Sequence, residues 1–316
     1  MSFLGMAWRY LRYRWAVTLL TLAGIALGAA LVCAVLALRH ESERALSRDA
    51  GLYDLVVGGK GSPLQLVLSS VYHLDSPTGN LPYTDYERLR SDPRVLWAAP
   101  IGLGDNYDGY RIVGTEAHFF DLTDRDGAPV FELSRGEVFA DRFEVVIGSH
   151  VAAATGLDLG DTFFGTHGLV DVPGGEVHRD FPYRVSGVLA STGTAQDRAI
   201  FGTLASVWEV HETEERLHSA IQGTALLGGE QAQGRETTAV LLRLERPGLR
   251  LWMAEEIRGR SDGIAAIPIN EILRFQRGIV GPVQQALLAV AAAVVLVACL
   301  TVLTTLHQAA ERILQL

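Results

Sequence analysis

Two long stretches without a charged residue frame this chain and constrain its fold more than any other feature. Trp15–Leu38 contains 24 uncharged residues, and Gly278–Leu306 contains 29, of which the part from Ala286 is the most apolar. About 20 apolar residues cross a hydrocarbon core of roughly 30 Å, and a helix as long as the first stretch spans about 36 Å. Each stretch therefore predicts a transmembrane α-helix, and residues 39–277 lie between the two.

The first stretch is interpreted as a retained membrane anchor. The apolar part of a signal peptide has about 7–15 residues, which is much shorter than this stretch, and no small-residue cleavage site follows it. Residues 1–14 form an amphipathic lead-in with several arginines, which indicates a cytoplasmic N terminus. Arginines also follow the stretch, but long loops cross a membrane largely regardless of charge. Residues 39–277 are therefore expected outside the cytoplasm, and residues 307–316 are expected to begin a cytoplasmic segment.

The composition excludes some classes of function. The formal net charge is −9 at pH 7 and the cations are not clustered, so nucleic acid is not an expected partner. Both cysteines, Cys33 and Cys299, lie in the apolar stretches. The region between the stretches therefore has neither a disulfide nor a thiolate metal site. A segment of this size can bury a hydrophobic core and can divide into two lobes.

Strand-like and helix-like segments alternate throughout this middle region. Tyr53–Val57 has the pattern of a strand that ends at two glycines, whereas Ser62–Tyr72 has apolar residues at helical spacing. Thr84 and Glu87 have the spacing of a capping box, which predicts that a short helix begins there. Gly156 follows another helical segment as its expected C-cap. The mixture predicts an extracytoplasmic α+β domain.

Small residues in the first apolar stretch suggest a helix-packing surface. Gly24 and Gly28 have the spacing of a G-x-x-x-G motif, which lets two helix backbones approach closely in lipid. Stretches rich in alanine and glycine also contain this spacing by chance, and both interpretations stay open. The two glycines are the helix-packing candidates.

A charged segment after the first stretch predicts a helical stalk, Glu41–Ala50, that continues out of the membrane. The second stretch is preceded by a comparable segment, Ile269–Arg277. A rigid lever is the functional interpretation and a solvated helix face is the structural one, and both can hold. The charged residues taken as stalk candidates are Glu41, Arg44, Arg48, Arg274 and Arg277.

The sequence contains no recognisable catalytic or cofactor motif. Lys60 follows two glycines, but Gly61 stands where a phosphate-binding loop requires serine or threonine. His167 and His178 flank a glycine-rich hairpin without the spacing of ligands on one helix face, and they are interpreted as surface histidines. Asp105 opens a segment that resembles a calcium loop but lacks its downstream glutamate, so a turn is preferred. We therefore expect no enzyme activity, no catalytic residue, no cofactor and no metal ion.

Several short strings, in their order between the two apolar stretches, resemble the front half of an FtsX-like or MacB-like ABC transporter permease. Each string is weak alone, but together they cover essentially the whole chain. The strings are Tyr53–Val57, Asp92–Val95, Ala99–Ile101, Val146–Gly148, Leu159–Asp161 and Tyr183–Leu189. The resemblance implies a MacB-like periplasmic core domain between the first two of four spans. Since the third and fourth spans are absent, the chain is expected to be a fragment or a natural truncation.

The resemblance also implies partners and a location. Such a permease has no nucleotide site and pairs with an ABC ATPase subunit in trans and with a second permease copy. It lies in the bacterial inner membrane, in contact with membrane lipid, and its periplasmic domain moves during export or extraction of a lipid, lipoprotein, peptide or drug. The alternative is a two-span sensor with a ligand-binding outer domain. A sensor should continue into a cytoplasmic signalling domain, whereas only ten residues follow Leu306.

Overall fold

The computed structural model describes residues 12, 15–168, 177–221, 235–260 and 263–314. The chain divides into two compact units. The larger unit, Ala45–Leu273, is called the globular domain below. The smaller unit joins the residues up to Arg44 with Arg274–Leu316 and is called the helical unit.

Long helices lie at both ends of the described residues, and shorter helices alternate with strands between them. The α-helices are α1 (Trp15–Gly51), α2 (Pro63–Val71), α3 (Tyr83–Arg90), α4 (Ser149–Thr155), α5 (Leu204–Ile221), α6 (Arg250–Arg260), α7 (Pro268–Phe275) and α8 (Gly281–Leu314). The strands are β1 (Leu55–Gly59), β2 (Leu81–Pro82), β3 (Val95–Tyr107), β4 (Tyr110–Thr115), β5 (Leu133–Gly136), β6 (Glu144–Ile147), β7 (Thr162–His167), β8 (Val177–Leu189), β9 (Ala199–Thr203), β10 (Glu236–Thr237), β11 (Ala239–Leu244) and β12 (Gly263–Ala266). A π-helical turn, Gln276–Val280, connects α7 to α8.

The long apolar helices are the ones that the sequence predicts. By length and composition, Thr18–Gly51 and Pro268–Thr304 are each able to cross a membrane. Many of their large apolar side chains are exposed in the isolated chain, among them Leu20, Leu27 and Leu303. Exposed apolar surface along such a helix is typical of contact with lipid or with other membrane helices. The prediction of an α+β domain flanked by two apolar helices is confirmed.

The globular domain is built on a mixed sheet in the order β12-β1-β11-β3-β4-β9-β6-β8-β5. Strand β7 lies off this path and pairs with both β3 and β8. The pairings from β3 through β4, β9, β6, β8 and β7 therefore return to β3, and this part of the sheet is closed. Strand β3 belongs to both the closed part and the open part of the sheet. Its residues Val95–Ile101 pair with β11 in the open part, and its later residues pair with β4 and β7 in the closed part. Closure removes free strand edges, which otherwise invite pairing with other chains.

Apolar side chains from both parts of the sheet form the core of the domain. Strands β1 and β11 are buried along their whole length, and helix α2 packs against β1 and β12. In the centre, the ring of Phe119 stacks on Phe131 and Phe201 with centroid separations of 5.0 and 5.1 Å. Burying one such side chain contributes about 1.5–3 kcal/mol. Packing of this kind stabilises a domain in which, as the sequence shows, no cysteine is present.

The predicted start of α3 is wrong by two residues. Helix α3 begins at Tyr83 with Pro82 as its N-cap residue, and no side chain caps it there. Thr84 therefore lies inside the helix and does not head a capping box. Pro82 pairs with Glu236 in the β2–β10 ladder, and the Tyr83 N–H donates to the Arg235 carbonyl at 2.7 Å. The neighbouring strand thus satisfies a helix-terminal N–H group that a capping side chain would otherwise have to satisfy.

Candidate functional site

The end of α1 is fixed to the globular domain by hydrogen bonds, and we call this contact the helix anchor. It comprises residues 46–50 of α1 and the segment Ser191–Arg198. The Asp49 carboxylate accepts a hydrogen bond from the Ala195 N–H at 2.9 Å, and the Tyr72 hydroxyl donates to the Leu46 carbonyl. Asp49 is buried at 5% exposure. Asp49 and Ala50 are therefore buried in the domain, whereas Arg48 and Gly51 are exposed.

A glycine lets the arginine of the helix anchor approach the facing segment. Arg48 Nη1 donates to the Gly193 carbonyl at 3.4 Å. Gly193 has a φ of 65°, and a Cβ at this position would lie 2.7 Å from Arg48 Nη1. Glycine adopts a positive φ without the steric penalty of other residues. Any side chain at position 193 would therefore both strain the backbone and displace Arg48.

The facing segment is itself held rigid by its side chains. The Asp197 carboxylate accepts hydrogen bonds from the N–H groups of Thr192 and Gly193, each at 2.9 Å. Gln196 Nε2 donates to the Val71 carbonyl at 3.1 Å, at the end of α2. Helix α2 in turn packs on the sheet. The helix anchor thus connects the end of α1 to α2 and, through α2, to the sheet.

Burial controls the charges near the helix anchor. Desolvation raises the pKa of Asp49 to about 6, because the Ala195 N–H and the Arg48 guanidinium offset it only in part. Desolvation also lowers the pKa of His73 to about 4, so this histidine is neutral at pH 7. Its Nε2 lies 2.7 Å from Gln196 Oε1. The helix anchor therefore holds a buried carboxylate that is ionised at pH 7 at a cost in stability.

The stalk candidates of α1 differ in their contacts. Arg44 lies 3.8 Å from Glu41, and Arg39 lies 2.8 Å from Glu43. Exposed pairs of this type contribute about 0.3–0.5 kcal/mol. Arg48, the third candidate on α1, donates instead to the Gly193 carbonyl of the facing segment. The Arg39–Glu43 pair was missed, although its spacing of four residues is visible in the sequence.

The other two stalk candidates lie before α8. Arg274 is exposed on α7, and Arg277 is exposed in the π-helical turn. The sequence predicts that Ile269–Arg277 leads straight into the second apolar stretch as a helix, whereas the structure has this turn between α7 and α8. Turns of this kind are rare in α-helices and frequently lie at functional sites.

The helix-packing candidates face α8 inside the helical unit. A Cβ at Gly28 would lie 2.6 Å from Val295 Cγ2, and one at Gly24 would lie 3.6 Å from the Cβ of Ala298. A larger residue at position 28 would therefore push the two helices apart. Close approach through small residues is how helices associate in lipid.

The histidines of the β7–β8 hairpin correct one interpretation. His167, at the end of β7, has an exposed side chain, but His178, in β8, is buried at 6% exposure. Its Nε2 lies 3.2 Å from Asp105 Oδ1. The interpretation as a surface histidine is therefore wrong for His178, because alternate residues of β8 point into the domain. Asp171 and Glu176, which lie between the two histidines in the sequence, are outside the described residues.

These features define a class of protein in which an α+β domain lies between two helices of membrane-spanning length. Residues 18–243 match the family described as the MacB-like periplasmic core domain. The chain belongs to this family. The resemblance inferred from the short strings is thereby confirmed, and the match includes α1 as well as most of the globular domain.

Two solved structures are similar to the chain. The periplasmic region of MacB from Actinobacillus actinomycetemcomitans is 12% identical, with 71% of this chain and 92% of that chain covered and a TM-score of 0.41. The extracellular domain of the noncanonic ABC-type transporter YknZ from Gram-positive bacteria is 11% identical, with 67% and 97% covered and a TM-score of 0.35. No curated protein matched the chain.

Proposed function

We propose that this chain acts in the permease subunit of an ABC transporter. In this role it couples ATP hydrolysis by an ABC ATPase subunit in trans to movement of its extracytoplasmic domain. The observation that carries the proposal is the family match over residues 18–243, which joins a membrane-length helix to a MacB-like periplasmic core domain. A second membrane-length helix, Pro268–Thr304, follows the domain in the chain, as this role requires.

The lever in this proposal is α1. It runs without interruption from Trp15 to Gly51, and 37 helical residues span about 55 Å. Its end is held by the helix anchor, where Asp49 and Arg48 bond to the facing segment. A displacement of the helix along its axis would therefore be transmitted directly to the domain, because the helix itself continues into the helix anchor.

The partners and the location belong to the same proposal. The permease would act with a second permease copy in the bacterial inner membrane, with its domain on the periplasmic side and α1 and α8 in contact with lipid. Within one chain, the close approach of Gly28 to Val295 supports packing of α1 on α8 in lipid. Its task would be export or extraction of a lipid, lipoprotein, peptide or drug. The domain supplies movement in this mechanism, and bond-breaking chemistry is assigned to the ATPase.

Affinity capture of the full gene product from detergent-solubilised native membranes tests the proposal. We expect an ABC ATPase subunit to be recovered in a fixed ratio to the permease. A matched control is the variant Asp126→Asn, at an exposed residue of the globular domain, which should recover the ATPase as the wild type does. Recovery of the intact permease with no ATPase, under conditions that keep other transporter complexes assembled, would overturn the proposal.

A further inference from the structure

Three potential metal ligands that are distant in sequence meet in the globular domain. Asp105 lies on β3, His167 at the end of β7 and His178 on β8. Asp105 Oδ1 is 3.2 Å from His178 Nε2 and 3.8 Å from His167 Nδ1. One donor atom from each residue lies within 4.8 Å of the others. Two ligands of a tetrahedral zinc ion, each about 2.1 Å from the metal, are roughly 3.4 Å apart, so these side chains already have nearly the required separation.

A buried oxygen in this cluster is left without a hydrogen-bond partner. Asp105 is only 1% exposed, and its Oδ2 accepts no hydrogen bond from the part of the chain that the structure describes. Buried carboxylate oxygens are almost always paired, because losing their hydration is costly. A hydrogen bond from His178 accounts for Oδ1 alone. A bound cation would also satisfy Oδ2.

The backbone is irregular on two of the strands that carry the cluster. The register of β3 against β4 shifts between Leu103 and Asp105, and the register of β7 against β8 shifts between Phe164 and Thr166. Such shifts are typical of β-bulges, which redirect side chains and are frequent beside functional sites. The first shift lies immediately before Asp105 in the chain.

A glycine leaves room for a third imidazole beside the cluster. A Cβ at Gly104 would lie 2.3 Å from Nε2 of His211, a residue of α5. Only glycine at position 104 therefore allows this ring to reach the strand. The rings of His211 and His167 are 5.6 Å apart, and those of His167 and His178 are 5.7 Å apart.

We propose that Asp105, His167 and His178 bind one divalent transition-metal ion of the zinc class. Imidazole nitrogens suit Zn²⁺, whereas Mg²⁺ and Ca²⁺ prefer sites made of oxygen ligands. Three protein ligands leave one position of a tetrahedral ion open for water or another ligand. His211, whose ring packs against that of His167, is the candidate for this position among the described residues.

The ion would bind where β3 pairs with β7, the shortest strand pairing in the closed part of the sheet. Among the described residues, β3 pairs with β7 through two residue pairs, Asp105 with His167 and Asn106 with Thr166. A metal ion shared by Asp105, His167 and His178 would join β3, β7 and β8 at this point. Binding to the folded state alone would stabilise the domain. This site is independent of the ATPase partner, so its failure would leave the proposed function untouched.

Zinc binding is measured on the full chain in detergent, purified with a tag that lacks histidine and treated with a chelator. Zn²⁺ is titrated against a chromophoric chelator, and the melting temperature is recorded with and without Zn²⁺. Co²⁺ is added as a spectroscopic probe, since its visible absorption reports nitrogen and oxygen ligands in a four-coordinate site. His167→Ala is the main variant, because its exposed side chain is the ligand least needed for folding. His150→Ala, at another exposed histidine of the domain, is the matched control, and Asp105→Asn is the second ligand variant.

The proposal predicts one Zn²⁺ per chain and a higher melting temperature with Zn²⁺ but not with Mg²⁺. His167→Ala should weaken zinc binding by at least about 10-fold and abolish the Co²⁺ spectrum, whereas His150→Ala should bind as the wild type does. The proposal is overturned if the wild type binds no Zn²⁺, or if His167→Ala and Asp105→Asn bind it with unchanged affinity. Equal weakening by His150→Ala would also contradict it.

Discussion

At the scale of single residues, burial and hydrogen bonding shift two carboxylates of the domain in opposite directions. Desolvation raises the pKa of Asp49 to about 6, and its backbone hydrogen bond offsets this only in part. Desolvation also opposes ionisation of Glu116, but hydrogen bonds from His118, Tyr83 and Tyr86 outweigh it and lower the pKa of Glu116 to about 2. At pH 7 both groups are ionised. The charge on Glu116 therefore stabilises the fold, whereas the charge on Asp49 costs stability.

The residue Asp49 leads to a prediction about pH and stability. In the unfolded chain its pKa is about 3.9, so between about pH 4 and pH 6 the folded state binds more protons and its stability falls as the pH rises. Asparagine keeps an oxygen for the Ala195 N–H but carries no charge. We expect Asp49→Asn to raise the free energy of unfolding at pH 7 by on the order of 2–3 kcal/mol, and by less at pH 5. Urea unfolding of the full chain in detergent at both pH values measures this.

The matched control for this variant is Asp121→Asn, at an exposed carboxylate of the same domain. It should change the free energy of unfolding by less than about 0.5 kcal/mol, as surface substitutions usually do. Equal or lower stability of Asp49→Asn at pH 7 would mean that the carboxylate is needed in its charged form by the helix anchor.

At the scale of elements, the long helices at the two ends of the domain differ in a way that bears on movement. Between Gly28 and Gly51, α1 contains neither glycine nor proline, and the structure has it helical throughout. The path into α8 is interrupted by the π-helical turn Gln276–Val280. Glycine and proline are the residues that most weaken a helix. Helix α1 is therefore suited to act as a lever. The π-helical turn before α8 is the place where the connection between the domain and α8 can bend.

The lever leads to a prediction for the assembled transporter. Replacing Arg44 and Ala45 with glycine should cost about 1 kcal/mol of helix stability at each position and let α1 bend before the helix anchor. In the wild type, nucleotide binding by the ATPase should change hydrogen exchange at the Ala195 N–H, which bonds to Asp49. In Arg44→Gly/Ala45→Gly we expect ATP hydrolysis to continue while this change in exchange is lost. Hydrogen exchange with mass spectrometry on the permease–ATPase complex, with and without nucleotide, measures this change.

Arg44→Ala alone is the control, because it removes the charge and the contact with Glu41 but keeps a strong helix former at position 44. It should respond to nucleotide as the wild type does. An unchanged exchange response in the double glycine variant would contradict the lever mechanism.

Elements set by local sequence were predictable, and those set by distant contacts were not. Gly156 caps α4 with a φ of 77°, as predicted, because a left-handed C-cap depends only on neighbouring residues. Thr84 was placed at the wrong point because the start of α3 is fixed by Glu236, on a strand more than 150 residues away. His178 was misplaced for the same reason, since its partner Asp105 comes from another strand. The Pro173-Gly174 pair, midway between the two histidines in the sequence, was a signal that they lie on facing strands.

At the scale of the whole molecule, the proposed role of the chain depends on a membrane. The family match joins α1 to the globular domain, and both α1 and α8 have the length and composition of membrane spans. The long exposed apolar surfaces of the two helices are explained if lipid covers them. The proposed role as a permease requires the globular domain and the end of α8 to lie on opposite sides of one membrane.

Labelling of single cysteines in spheroplasts tests this requirement most directly. Cys33→Ala/Cys299→Ala removes both native thiols, and a single cysteine is then introduced by Asp126→Cys in the domain or by Gln308→Cys near the end of α8, both at exposed positions. A membrane-impermeant maleimide should label the chain with Asp126→Cys in intact spheroplasts and the chain with Gln308→Cys only after permeabilisation. Labelling of Gln308→Cys in intact spheroplasts, with Asp126→Cys protected until permeabilisation, would contradict the account, as would equal labelling of both before permeabilisation.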